Sequence, residues 1–460
     1  MEITKEFFEN VNLAYAGFFD HHELDDDVLT IGGWSVLFTE GNSIPKKIYI
    51  LFNNEVIATS EEFNVNRDDV KVAHPEAPLN CGFTIEIDNS FKDKLDYLEI
   101  FVESDDFLYQ LNKFNGFLSQ VEISGKCNLR CPQCPAVMNG FHNKILSKND
   151  LDLIEPLFQQ ARNICFDGFG EVLLTKEEDL EYAFSKIPYS KDLKFHTNGM
   201  LLNKRIDLIL DNSLPLRQII VSIDSLSDDL YPVLRKGGKL SVVLDNVKLL
   251  KEARQERGQR FPIIIPNMII LNSNYKEIRD FIDLASTLDN KLELIHLYDL
   301  EKMDDDNSDF MYENEKVKHN LKDYKKTLNE SLEYAKEKGV EVYFSGSVTS
   351  EDEAESEEYI GEKREVKECH YKSNGRCLQA DGKFMFCVWQ TSPVFDWKKT
   401  NNVDPSKNPR ARKVMEMLEN NEIPFECSTA GCPYVYGRES SEVKDEQVIF
   451  VKGGWSATKA

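Results

Sequence analysis

Gln120-Val121-Glu122-Ile123-Ser124 runs into Gly125-Lys126-Cys127-Asn128-Leu129-Arg130-Cys131-Pro132-Gln133-Cys134. The first five residues read as a short strand. The loop that leaves it carries three thiols within eight residues, spaced C-x3-C-x2-C. Three thiolates so placed can wrap one face of a cubane iron–sulfur cluster, hold three irons and leave the fourth open to a small molecule. A zinc site normally closes with four ligands, and no fourth is near in sequence. The odd count argues against a disulfide network.

Beyond this loop the rhythm repeats. Short apolar runs at Ile164–Asp167, Leu193–Thr197, Gln218–Asp224, Ile263–Ile270 and Leu292–Leu297 are each followed by a helical pattern. Leu151, Ile154, Leu157, Phe158 and Ala161 share one helix face, and Asn274-Tyr275-Lys276-Glu277 is close to a capping box ahead of Ile278, Phe281 and Ile282. Six βα units in succession predict an α/β fold, a parallel sheet curled into a partial (β/α)6 barrel over residues 117–300, with chemistry at the C-terminal strand ends.

Residues 1–116 have another character. Runs at Leu29–Phe38, Lys47–Phe52, Val56–Thr59, Gly82–Ile87 and Tyr97–Val102, with an Asn53-Asn54 turn, predict an accessory β-sandwich. Residues 301–366 read as an acidic loop, a charged helix near Glu315–Lys338, a strand at Val340–Phe344 and an acidic linker. Residues 367–440 are cysteine-rich, and 441–460 form a tail. The 460 residues carry a net charge of −25, which argues against a nucleic-acid partner. Met1–Asn10 has no apolar signal region and no apolar run is long enough to span a membrane, so a cytoplasmic protein is expected. In a reducing compartment, clustered cysteines point to metal or chemistry.

The cysteine loop after strand one of a partial barrel resembles the radical SAM superfamily. That resemblance implies a [4Fe–4S] cluster on Cys127, Cys131 and Cys134, with S-adenosylmethionine (SAM) on the open iron and reductive cleavage to a 5′-deoxyadenosyl radical. The family usually has an aromatic residue before the third cysteine; here it is Gln133. Further matches follow the successive strands. Gly168-Phe169-Gly170-Glu171 is similar to the family's Gly-Gly-Glu segment, where Gly170 permits close backbone approach and Glu171 would accept from the SAM ammonium. Asn198, in Thr197-Asn198-Gly199, would face the cofactor. Ser222 would contact its ribose or carboxylate, and Arg235 would pair with that carboxylate. Asp224 would serve the cofactor or cap the next helix, and Leu297 would pack against adenine or fill core. Each motif alone also reads as an ordinary turn or packing residue; their order along the strands supports the resemblance.

Cys369-x12-Gly382-x4-Cys387 resembles the opening of the SPASM and twitch domains of radical SAM enzymes, with Asp381-Gly382 as a hairpin turn. With Cys427 and Cys432, whose x4 spacing is wider than usual, it implies four ligands for an auxiliary [4Fe–4S] cluster of the one-cluster twitch type. A four-thiolate zinc site is the other reading. Cys377 is a packed strand residue, a replacement ligand or a hydrogen-atom donor in an epimerase-like reaction. Cys81 and Cys165 read as core. His196, His296 and His370 read as structural rather than catalytic; a functional role for His296, pointing into the barrel, and a substrate lining at Trp389-Gln390 are the lesser readings. The resemblance implies a flavodoxin- or ferredoxin-type electron donor. The expected substrate is carbohydrate-like or another small polar molecule, oxidised or epimerised. Peptide or protein modification, and a non-catalytic cluster carrier, stand as alternatives.

Overall fold

The computed structural model describes residues 11–12, 16–25, 28–53, 55–113, 118–136, 142–161, 163–211, 213–297, 313–345, 362–363, 375–387, 390, 392–420, 424–428 and 449–450. The N-terminal strands are β1 (Val11–Asn12), β2 (Gly17–Asp25), β3 (Val28–Ser35), β4 (Lys47–Phe52), β5 (Glu55–Ser60), β6 (Gly82–Asp88), β7 (Leu98–Glu103), β8 (Leu108–Gln110) and β9 (Asn112–Lys113). They form two sheets, β1-β8-β7-β4-β5 and β6-β3-β2-β9. The period-2 alternation sends Ile48, Ile50, Ile100 and Val102 into the shared core with Leu29, Ile31, Phe83 and Ile85. Tyr49, Leu51 and Phe101 face the other way, where Tyr189 packs against them. Around that contact, Lys191 Nζ lies 2.9 Å from Glu99 Oε1, both buried, and Gln160 Nε2 donates to Tyr97 Oη at 2.8 Å. The sandwich is therefore docked on the neighbouring barrel through an apolar patch and a buried ion pair.

Barrel strands β10 (Leu118–Val121), β11 (Asn163–Phe166), β12 (Asp192–Thr197), β13 (Leu216–Ser222), β14 (Ile263–Ile270) and β15 (Lys291–His296) lie parallel and in chain order. The sheet extends further than six strands. β16 (Glu341–Ser345) adds to β15 in parallel, so the boundary expected at residue 300 falls inside the sheet. β17 (Glu362–Lys363) pairs with β21 (Ile449–Phe450) away from it. On the opposite edge β18 (Gly375–Leu378) adds to β10 in parallel, and β19 (Lys383–Met385) and β20 (Phe395–Asp396) continue antiparallel. The expected Asp381-Gly382 hairpin turn is formed, with Gly382 at φ 104°.

Helices α1 (Lys148–Gln160), α2 (Glu177–Ser185), α3 (Leu240–Glu256), α4 (Ile278–Ser286) and α5 (Leu321–Lys338) cover one face of this sheet. Ser147 and Asp150 form a capping box on α1, whose Leu151, Ile154, Leu157 and Phe158 are buried as its spacing predicts. Val121, Phe166, Phe195 and Val221 meet these helices, and Phe184 stacks between Phe166 and Phe195. The expected box at Asn274 is not formed. Asn274 Nδ2 instead donates to Asp224 O and Ile269 O, and Glu277 accepts from Ser225 Oγ and Leu226 N. The polar side chains there tie strand ends together rather than start the helix. No helix among the described residues is long and apolar enough to cross a membrane.

Because strand side chains alternate, the other sheet face carries Gln120, Glu122, Cys165, Asp167, Lys194, His196, Ser222, Asn267 and Glu293. Glu122 joins this face to the C-terminal hairpin. Its carboxylate accepts from Phe169 N at 2.8 Å, Ala380 N at 3.0 Å and His142 Nε2 at 2.8 Å. The hydrogen bond to Glu122 holds His142 above the usual imidazole value. A group raised on folding stabilises fully below its unfolded value of about 6.5 and loses that contribution as pH rises through the folded value. Glu122→Gln should therefore flatten the fall in stability above about pH 6.5. Urea denaturation at several pH values measures this; an unchanged pH profile would rule out the pair as its source.

Candidate active site

The loop after β10 is clamped from three sides. Gly170 passes so close that a Cβ there would sit 1.9 Å from Ser124 O, so only glycine fits. Glu171 N donates to Lys126 O at 2.6 Å, and Arg130 N donates to Lys236 O at 2.9 Å. The loop thus brings Cys127, Cys131 and Cys134 to the C-terminal ends of the strands. Burial pushes all three thiols up, Cys134 to about 12, while the Arg235 guanidinium pulls them down. Arg235 Nη1 stands 3.7 Å from Cys131 Sγ.

Gln133, the departure before the third cysteine, is buried and donates from Nε2 to Asp224 Oδ2 at 2.7 Å. Asp224 is fully buried at the end of strand β13 with φ 64°, a conformation that aspartate tolerates better than most side chains. Its Oδ1 accepts from Ile269 N at 2.8 Å, and its Oδ2 lies 2.8 Å from Arg235 Nε. That last contact is an ion pair without hydrogen-bond geometry, since Nε has no hydrogen-bond partner among the described residues. Arg235, expected at the SAM carboxylate, is thus engaged by Asp224 and beside Cys131. Asp224 is no helix cap; it ties strand β13, strand β14 and the cysteine loop.

Glu171 is 2% exposed and also faces protein donors. It accepts from Thr197 Oγ1 at 2.7 Å, Asn198 N at 2.7 Å and Leu173 N at 3.1 Å. Burial pushes its carboxyl up against the pull of these hydrogen bonds. Asn198 Nδ2 then reaches Asn128 Oδ1 at 2.8 Å, back on the cysteine loop. Glu171→Ala would leave the Thr197 hydroxyl and the Asn198 N–H buried without acceptors, at about 1–3 kcal/mol each. Urea denaturation should show a loss of at least that size; a change within about 0.5 kcal/mol would mean the site relaxes around the gap. Ser222 is half-buried opposite Asn267 in the ladder, and Leu297 packs with Leu234, Ile269 and Leu271 at the mouth. His296 contacts Tyr324 edge-on and through its Nε2.

In the C-terminal segment, Cys387 and Cys427 are buried and linked through Gln390. Its Oε1 accepts from Phe386 N at 2.6 Å and its Nε2 donates to Cys427 Sγ at 3.5 Å. Gln390 is therefore internal rather than a substrate lining. Cys369, His370, Trp389 and Cys432 lie outside the described residues. Cys377 is buried on β18 with Sγ 3.9 Å from Gln120 Oε1. Cys81 packs with Trp34 and Val36 as core. Cys165 is buried too, but on the polar face of the sheet rather than in the apolar core.

Residues 121–285 match the family model of the radical SAM superfamily. That segment is a radical SAM domain. Part of the chain is also similar to curated relatives. One is the GTP 3′,8-cyclase of Listeria welshimeri, 28% identical over 181 residues, with 38% of this chain and 52% of the relative covered. Another is the GTP 3′,8-cyclase of Alkaliphilus metalliredigens, 31% identical over 183 residues, with 38% and 53% covered. The chain thus spans about half the length of these relatives. Among solved structures, SuiB of Streptococcus suis bound to S-adenosylmethionine is 12% identical with a TM-score of 0.47, over 66% of this chain and 68% of SuiB.

Radical SAM domains use a [4Fe–4S] cluster and SAM, and the residues here fit such groups. Three clustered thiols beside a guanidinium are a donor set for an anionic cluster. Gln133 Oε1 and Tyr231 Oη, both buried near them, have no hydrogen-bond partner among the described residues. Polar atoms left so in a buried site mark the place of a missing polar partner.

Proposed function

We propose that Cys127, Cys131 and Cys134 hold the cluster of a radical SAM enzyme, and that Gly170, Asn198, Ser222 and Leu297 border the SAM pocket at the barrel mouth. When bound, the cluster and SAM supply one-electron cleavage of a sulfur–carbon bond and a 5′-deoxyadenosyl radical that takes hydrogen from substrate. The chain's own part is to orient and shield. Arg235 offsets thiolate charge beside Cys131. Gln133 and Asp224 lock the third cysteine to the strand β13 end. Glu171 sets Thr197-Asn198, so it positions the pocket rather than contacting the ammonium.

The substrate we propose is a small polar molecule, oxidised or epimerised inside the barrel. The polar sheet face carrying Asp167, Lys194, His196, Asn267 and Glu293 supports this. The named activity of the curated relatives, GTP 3′,8-cyclase, does not point to a carbohydrate, and that finer expectation is not carried forward. Cys369, Cys387, Cys427 and Cys432 would hold an auxiliary [4Fe–4S] cluster, and a flavodoxin- or ferredoxin-type protein would deliver the electron.

The orphaned polar atoms around the three-thiol loop carry this reading most directly. Anaerobic reconstitution with iron and sulfide, followed by dithionite and SAM, tests it. About eight irons per chain and formation of 5′-deoxyadenosine are expected. About four irons with the same product would return the C-terminal cysteines to zinc or structure. A fully loaded protein that makes no 5′-deoxyadenosine, even with candidate substrates, would favour a cluster carrier.

A further inference from the structure

Below the loops that carry Glu171 and Asn198, the polar sheet face brings three unlike ligand types together. Cys165 and Asp167 stand two residues apart on and just after strand β11, so they share a face. His196 is beside them on strand β12. One ligand atom from each lies within 4.8 Å of the other two. Ligands of a tetrahedral ion at about 2.0–2.3 Å from the metal sit somewhat closer than that, within reach of small side-chain shifts. Cys165 is buried, while Asp167 and His196 are half-buried, which leaves a path for entry.

We propose that Cys165, Asp167 and His196 form a divalent metal site of the zinc type inside the barrel. Thiolate, imidazole and carboxylate together suit a borderline-soft ion, and three protein ligands leave a fourth position open for an oxygen-bearing ligand. Binding displaces the Cys165 thiol proton to solvent.

The surroundings fit this site. Gln120 Nε2 donates to Asp167 Oδ2 at 3.1 Å, which orients the carboxylate as outer-shell partners of metal ligands do. Lys194 pairs with Cys165 in the ladder and feels the charges of Glu293 and Asp167. The Lys194 and Glu293 charges cancel. A thiolate and a carboxylate then leave two negative charges, which one divalent ion neutralises. The set shares no residue with the three-thiol loop, so the inference stands apart from the cluster assignment.

The test adds zinc sulfate to the cluster-loaded protein under anaerobic conditions, removes excess by gel filtration, and measures retained zinc and its K-edge X-ray absorption. About one zinc per chain is expected, with one sulfur near 2.3 Å and the remaining ligands nitrogen or oxygen near 2.0–2.1 Å. Cys165→Ser should remove the sulfur from that shell. Asp167→Asn and His196→Ala should each lower zinc retention at least tenfold, and none should change the iron count. Three or four sulfurs around zinc would place it on the other cysteines and overturn the proposal. So would failure of the wild-type protein to retain zinc, or an unchanged zinc spectrum in His196→Ala.

Discussion

Cys127→Ala is expected to abolish SAM cleavage. The loop offers three thiols within eight residues, and the clamps through Gly170, Glu171 and Lys236 fix the backbone that carries them. Two thiolates hold a cubane cluster poorly, and the open iron loses its defined position opposite them. 5′-Deoxyadenosine formation should fall by about a thousandfold or more, equivalent to about 4 kcal/mol on the barrier. Product chromatography under dithionite and SAM measures this, and iron analysis reports whether the cluster is lost with it. Full activity in the variant would remove Cys127 from the ligand set.

The second large effect belongs to Asp224. Asp224→Asn retains the shape and tolerates the left-handed backbone, but removes the charge opposite Arg235. Gln133 can turn its amide and use its unpartnered Oε1, so that hydrogen bond is repairable. Arg235 has no such recourse, because a guanidinium only donates. An uncompensated buried charge of this kind costs about 3–5 kcal/mol. Chemical denaturation should show a loss of that size. Combining Asp224→Asn with Arg235→Met should restore most of the stability, since removing both charges costs far less than removing one. A double variant as unstable as the single one would shift the effect from charge to packing.

Much of this protein was legible in the chain. The βα rhythm rests on local periodicity, and the barrel strands fall where the apolar runs lie. The apolar face of α1 and the Asp381-Gly382 turn are likewise local features, set by residues a few positions apart. Strand β2 was missed because Asp20, His21, His22, Glu23 and Asp25 hide its alternation, and its pairing with β3 and β9 decides it. In sequence, Gln133 is only a departure from the family's pattern. Its value lies in Asp224, 91 residues away.

The sequence by itself determined that three thiols lead off the first barrel strand, and that Gly170, Glu171, Asn198 and Ser222 follow later strands in order. Spacing and strand order are properties of the chain. Only the tertiary structure decided what those groups touch. It turned Glu171 onto Thr197 and Asn198, and Arg235 onto Asp224. It carried β16 and β18 to the two ends of one sheet, and set Cys165, Asp167 and His196 face to face. The physical reason is that parallel strands pair across long loops. The partners of a buried polar group are then chosen by sheet register and by the need to satisfy every buried donor and charge, and neither is written in local sequence.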